Sequence, residues 1–167
     1  MGEGEGRTIL VTGVTGFLGT RLAELALIRG WNVRGFARAE WDGAPAIPLA
    51  NRFFGDLPER IPAAALEGGV HAVVHCAATA TTVERTARAV NVAGTERLAS
   101  MAVRAKVPVF VHVSSSSAAP DAISAYGRTK FDAEVVIRNV VRAGSPHPTA
   151  LVIVRPNLIV GPGGKGV

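Results

Sequence analysis

Short apolar runs alternate along the chain with stretches in which apolar residues recur every three or four positions. The runs at residues 8–12, 32–37, 52–55, 71–76, 109–113 and 151–154 are bounded by turn formers and read as six strands. Leu18, Leu22, Leu25 and Ala26 mark a helix over residues 17–29, and Gly30 supplies its stop. Val90, Leu98, Met101 and Ala102 mark a long helix from about residue 82 to 106. A third helix spans residues 126–143, until Gly144-Ser145-Pro146-His147-Pro148 breaks it. Apolar strands separated by helices predict a parallel sheet covered on both faces. Right-handed crossovers then narrow the topology to an α/β, doubly wound, Rossmann-type sheet of strand order 3-2-1-4-5-6, which binds ligands between its first and fourth strands.

Composition changes this picture little. With 167 residues, 48% hydrophobic and 19% charged, the chain suits one globular domain that buries a core without disulfides or metals. Its single cysteine, Cys76, cannot form an internal disulfide, and no His/Cys spacing resembles a metal site. The acidic start Met1-Gly2-Glu3-Gly4-Glu5-Gly6 is unlike a signal peptide, and no apolar stretch reaches the roughly 20 residues of a membrane span. A soluble, cytoplasmic protein with no membrane partner is expected. The net charge of +5 raises nucleic acid as a partner, but the basic residues, fifteen of 18 of them Arg, are scattered rather than clustered. No nucleic-acid partner is expected. Residues 1–7 read as a flexible N-terminus, 8–160 as a dinucleotide-binding domain and 161–167 as a loop-like tail.

The chemistry begins where the first strand runs into Thr12-Gly13-Val14-Thr15-Gly16-Phe17-Leu18-Gly19. Glycines between a strand and an amphipathic helix let backbone amides approach a pyrophosphate, and the helix N-terminus adds its positive dipole end. Further along, Tyr126 and Lys130 stand four apart on a helix and share a face. An ammonium beside a phenol favours the phenolate and lowers a pKa otherwise near about 10, which makes Tyr126 a candidate acid/base. Ser114-Ser115-Ser116-Ser117 follows the fifth strand at the ligand-binding edge, where a hydroxyl can orient a substrate oxygen toward Tyr126. At the end of the second strand an acid would accept from the ribose hydroxyls of NAD, and an Arg would pair with the 2′-phosphate of NADP. Ala37 stands in the acid's place and Arg38 follows, which predicts NADP over NAD. His75 and Cys76 read as packing residues.

Together these motifs resemble the extended short-chain dehydrogenase/reductases, a family that includes nucleotide-sugar epimerases, dehydratases and ketoreductases. The resemblance covers nearly the whole chain. After the glycine turn come Gly55-Asp56-Leu57, His75-Cys76-Ala77-Ala78, Asn91-Val92-Ala93-Gly94-Thr95, Tyr126-Gly127-Arg128-Thr129-Lys130, and Arg155-Pro156 through Val160-Gly161-Pro162-Gly163. It implies that Gly13, Thr15, Gly16, Phe17, Leu18, Gly19, Arg38, Asp56, Leu57, Ala77, Ala78, Tyr126 and Lys130 bind the dinucleotide, Asp56 at the adenine and Lys130 at the nicotinamide ribose. The implied catalytic set is Ser115, Tyr126, Lys130 and Asn91. Counted from the strand end, Ser115 matches the family's serine best and Ser116 is the close alternative. Only eleven positions separate Ser115 from Tyr126, fewer than is usual in extended members, which predicts a small substrate-side loop. The implied activity is NAD(P)-dependent oxidoreduction, epimerisation or dehydration at a carbonyl/alcohol centre of a nucleotide sugar or similar small molecule. A homodimer is compatible with it. Family members generally continue into a C-terminal substrate domain, so a truncated or non-catalytic NAD(P)-binding module is the alternative.

Overall fold

A computed structural model describes residues 4–144 and 148–161. Its strands are β1 (Thr8–Thr12), β2 (Asn32–Ala37), β3 (Arg52–Phe54), β4 (Val70–His75), β5 (Val109–Val113) and β6 (Ala150–Val154). Among the described residues the α-helices are α1 (Phe17–Ile28), α2 (Glu84–Arg88), α3 (Gly94–Arg104) and α4 (Ala125–Ala143). The strands are parallel throughout and pair in the order β3-β2-β1-β4-β5-β6, the doubly wound topology expected. Every residue of β1 is buried, which places that strand at the centre, whereas Val152 and Val154 of the edge strand β6 are each 44% exposed.

Alternating side chains of the strands feed two cores, one on each face of the sheet. Leu10, Phe36, Val73 and Phe110 pack beneath Leu98, Ala99 and Ala102 of α3 and Ile137 of α4. Ile9, Val11, Val33 and Val74 pack with Ala23 and Ala26 of α1. Removing a fully buried side chain such as Leu10 or Phe110 down to Ala costs about 3 kcal/mol. Gly30, at φ +83, closes α1 in the left-handed conformation that glycine adopts without strain.

One element departs from the expectation. The single helix over residues 82–106 is interrupted: a π turn at Ala89–Ala93 lies between α2 and α3, around the buried Asn91. The N-terminal expectation falls partly outside the described residues; those within it, Gly4 to Gly6, form a turn whose Gly4 N–H donates to Arg29 O at 3.1 Å. Gly161 is the one residue of the expected tail that is described, and Ser145, Pro146 and His147 of the expected helix break lie outside.

Candidate cofactor and proton-transfer site

Because all strands are parallel, the carboxyl ends of β1, β4 and β5 meet along one edge. After β1 the three glycines have different roles. Gly13 sits at φ +65, and a Cβ there would lie 2.8 Å from the backbone N and Cα of Ala77, so glycine is what lets the ends of β1 and β4 touch. A Cβ at Gly19 would run into the carbonyl of Gly13. Gly16 is different. It is exposed, and a Cβ there would meet Gly13 O tightly at 3.1 Å but no other atom within 4 Å, so the outer side of the turn stays open. It is also the N-cap of α1, which has no side-chain cap and no acid in its first turn. The first N–H groups of α1 therefore lack partners and suit an anion. Thr15 lies exposed beside them, and Phe17 and Leu18 are half-buried, with the Phe17 ring against Gly161.

Beyond β4, Ala77 N–H donates to Thr12 Oγ1 at 3.3 Å, and Ala78 is exposed. His75 is fully buried between two hydroxyls, Thr12 Oγ1 at 2.6 Å from Nδ1 and Thr95 Oγ1 at 2.9 Å from Nε2. Burial, helped by the charge of Lys130, pushes its pKa down to about 3, so it packs as a neutral ring. Burial likewise pushes the Cys76 thiol up to about 11, which leaves it protonated and a poor nucleophile.

At the far end of the edge, Arg38 is exposed and has no ion pair or hydrogen bond among the described residues. Beside it the loop after β2 is stiffened by Arg52, which lies over the Trp41 ring at 4.9 Å and donates to Trp41 O and Ile47 O, each at 2.7 Å. Asp56 is held by Arg60 at 2.7 Å. Leu57 packs on Gly94, where a Cβ would come within 2.7 Å of the leucine's own Cβ.

The proton-transfer side is built from side chains. The half-buried Tyr126 side chain lies near Ser115, whose hydroxyl acts to lower the phenol's pKa. Ser114 and Ser116 face elsewhere, Ser114 Oγ donating to Glu134 Oε1 at 2.6 Å and Ser116 Oγ to Asn157 Oδ1 at 3.3 Å, whereas Ser117 Oγ lies 2.9 Å from Ser115 Oγ and its N–H donates to that oxygen at 3.2 Å. Gly127 makes the approach of the two segments possible, since a Cβ there would sit 2.6 Å from Ser117 O and 2.7 Å from Ala122 Cβ. Ser124 caps α4 by accepting from Gly127 N–H at 3.0 Å. Arg128 then ties the loop down, donating to Ala122 O at 2.8 Å, Ile123 O at 2.7 Å and Glu84 Oε2 at 2.7 Å. Sequence reasoning passed over Gly127 and Arg128; a glycine in a helix's first turn was the available signal.

Lys130 corrects one expectation. Its ammonium donates to Val113 O at 2.6 Å, and burial, opposed by Cys76 and Glu134, lowers its pKa to about 8. The Tyr126 pKa is raised rather than lowered: burial of the phenol outweighs the opposing effect of the Ser115 hydroxyl, and Lys130 makes no resolved contribution. Asn91, in the implied catalytic set, has its amide engaged by its neighbours. Its Oδ1 accepts from Thr79 N–H at 2.8 Å, and its Nδ2 donates to Thr79 O at 2.9 Å and Thr129 Oγ1 at 3.0 Å. With both N–H groups engaged, the amide positions the segment after β4 against α4 and has no donor left for a substrate.

The family model described as "NAD dependent epimerase/dehydratase family" matches residues 9–167. The chain belongs to that family. "Sterol demethylase protein B" of Methylococcus capsulatus is 40% identical over 115 residues, 66% of this chain and 35% of that protein. A "3 beta-hydroxysteroid dehydrogenase/Delta 5-->4-isomerase" of Mycobacterium tuberculosis is 39% identical over 118 residues, 65% of this chain and 32% of its own length. Among solved structures, MoeE5 in complex with UDP-glucose and NAD superposes with a TM-score of 0.76 at 26% identity, covering 89% of this chain and 53% of that one. A short-chain dehydrogenase/reductase superfamily protein from Agrobacterium tumefaciens with bound NAD gives 0.73 at 29%, covering 89% and 48%. The chain thus spans about a third of the length of these curated relatives and about half that of these structures. The epimerase/dehydratase family's dinucleotide fits the residues present. Gly16 leaves space beside uncapped N–H groups, and Lys130 has three N–H donors of which Val113 O takes one.

Proposed function

We propose that this chain supplies the cofactor and proton-transfer residues of an NAD(P)-dependent enzyme acting at a carbonyl/alcohol centre. The observation that carries the reading is the grouping of Ser115, Tyr126 and the buried Lys130 on the same sheet edge as the glycine turn. The pyrophosphate is held at Gly13, Gly16 and the start of α1, with Thr15, Phe17, Leu18 and Gly19 around it. Ala77 and Ala78 line the path toward Tyr126, and Asp56 and Leu57 flank the adenine end. Lys130 offers its remaining N–H groups to the nicotinamide ribose. When bound, the nicotinamide accepts or supplies the hydride. The chain's own residues handle the proton: Ser115 orients the reacting oxygen, and Tyr126, a phenol because burial raises its pKa, donates to that oxygen in the direction of reduction.

Arg38, free at the end of β2, supports NADP over NAD through a charge-assisted bond to the 2′-phosphate. A nucleotide sugar is the first substrate reading, supported by the UDP-glucose in the MoeE5 complex. A hydroxysteroid-like alcohol is the second, supported by the curated relatives at 39–40% identity and by the fully exposed Ile123 in the loop next to Tyr126. A cytoplasmic setting suits dependence on NAD(P), and a homodimer remains compatible with the family. Calorimetry with NADP and NAD tests the cofactor site. Turnover tests the rest: NAD(P)H absorbance follows net oxidation of a 3β-hydroxysteroid, and product analysis follows epimerisation or dehydration of UDP-glucose, which leave the cofactor's oxidation state unchanged. No binding of either dinucleotide overturns the proposal, and binding without turnover of either substrate favours a non-catalytic module.

A further inference from the structure

Glu134 lies outside the site just described, yet it stands four residues along α4 from Lys130, and both side chains are only 2% exposed. Residues so spaced share one helix face, so that face of α4 buries both a cation, which donates to Val113 O, and an anion, held by Arg155 and Arg138. The carboxylate is held by four donors. Oε1 accepts from Ser114 Oγ at 2.6 Å and Arg155 Nε at 2.7 Å, and Oε2 accepts from an Arg155 Nη at 2.7 Å and an Arg138 Nη at 3.5 Å. Burial alone would raise its pKa. The hydrogen bonds of Arg155 and Ser114, with the charges of Arg155 and Arg138, outweigh burial and hold the carboxyl below its usual range.

These donors come from the turn after β5, the segment after β6 and α4 itself. The two segments also pair with each other: Ser114 N–H donates to Val154 O at 2.7 Å, and Ser116 N–H donates to Pro156 O at 2.9 Å. Ser115 lies between those two bonds, so whatever fixes Ser114 and Arg155 fixes the hydroxyl that meets Tyr126. The titratable groups that bear on Lys130 come from three elements. Cys76, just past β4, keeps its proton up to about pH 11, and His75 and His112 of β4 and β5 are held neutral by burial. Tyr126, one turn earlier on α4, keeps its proton as well. Cys76 supports the Lys130 charge only as it ionises at high pH, so near neutral pH Glu134 is the full negative charge among them.

Resting on the function proposed above, we propose that Glu134 is a positioning residue for the proton-transfer site: it balances the buried charge of Lys130 and ties the end of β5 and the segment after β6 to the helix that carries Tyr126 and Lys130. The test needs no turnover. The chain has three lysines, Lys106, Lys130 and Lys165, so 13C-labelled lysine resolves Lys130 by NMR, with Lys130→Met assigning its signal. In Glu134→Gln the Lys130 pKa falls by about half a unit or more. In Arg155→Gln the anion keeps its place with fewer opposing charges, and the Lys130 pKa rises. A role confined to holding the elements together would move both variants the same way, and that result, or an unchanged Lys130 in Glu134→Gln, overturns the proposal. Should Glu134→Gln fail to fold, a fall of the Lys130 pKa in Arg155→Gln overturns it and a rise supports it. An inactive parent enzyme would sink the proposed function and leave these titrations standing.

Discussion

The two halves of the candidate site are made in opposite ways. The phosphate turn after β1 is shaped by missing side chains: Gly13 admits Ala77, Gly19 admits the carbonyl of Gly13, and Gly16 stays open to the outside. The proton-transfer side is shaped by side chains packed so closely that their charge states depend on burial, with Lys130 lowered to about 8 and Tyr126 raised. Backbone geometry is robust to solvent and pH. The second half responds to the groups around it, so the chemistry is tuned there while the phosphate-binding turn is not.

The largest effect expected from breaking this contrast comes from Tyr126→Phe. It removes only the oxygen that moves the proton, so turnover should fall by about 10²–10⁴-fold while calorimetry shows unchanged cofactor affinity. Ser116→Ala should be nearly silent in the same assay, because its hydroxyl turns to Asn157 rather than Tyr126. Activity of Tyr126→Phe within a few-fold of the parent would refute the proton-transfer assignment.

The glycine turn should break in two distinguishable ways. Gly13→Ala meets both a left-handed φ and the backbone of Ala77, so it should lower folding stability by on the order of 2 kcal/mol or more, read from denaturant unfolding. Gly16→Val, on the open side, should keep most of that stability and lose dinucleotide binding. Equal stability losses in both variants would erase the distinction between packing and ligand space. A smaller change is expected at the cofactor's far end. Arg38→Ala should weaken NADP by about 1.5–3 kcal/mol and leave NAD nearly unchanged, and tighter binding of NAD by the parent would reverse the preference.

The same contrast explains what could be read from the sequence. The bounds of β1, β2 and β5 were legible because strand-like segments between turn formers end abruptly at Gly13, Arg38 and Ser114. The glycine turn was legible because its constraint is local, from strand end to helix start. The π turn was not: Asn91 is held by Thr79 and Thr129, which only the folded chain brings to it. Spacing correctly put Tyr126 and Lys130 on one helix but gave the wrong sign for the tyrosine, because the ammonium turns to Val113 O and burial governs the phenol. The serine run left two candidates open, and only the positions of Asn157 and Glu134, distant in sequence, sort it.

The buried histidines beneath this side give the last and smallest effect at neutral pH. His112 is fully buried, its ring lies 5.5 Å from that of His75, and neither of its nitrogens has a hydrogen-bond partner. Burial, then the charges of Lys130 and His75, holds its pKa far below the 6.5 of a free histidine. The unfolded chain therefore takes up a proton below about pH 6.5 that the folded chain refuses. Because the unfolded state binds more protons in that range, stability falls as pH falls, by about 1.4 kcal/mol per pH unit for each such histidine. His75 contributes in the same sense down to about pH 3. His112→Leu removes one of the two and leaves no polar atom without a partner, so its stability at pH 7 should equal or exceed the parent's. Between pH 6 and 4 its advantage should widen by about 1.4 kcal/mol per unit, measured by urea unfolding at each pH. Parallel stability curves across that range would show that His112 titrates alike in both states.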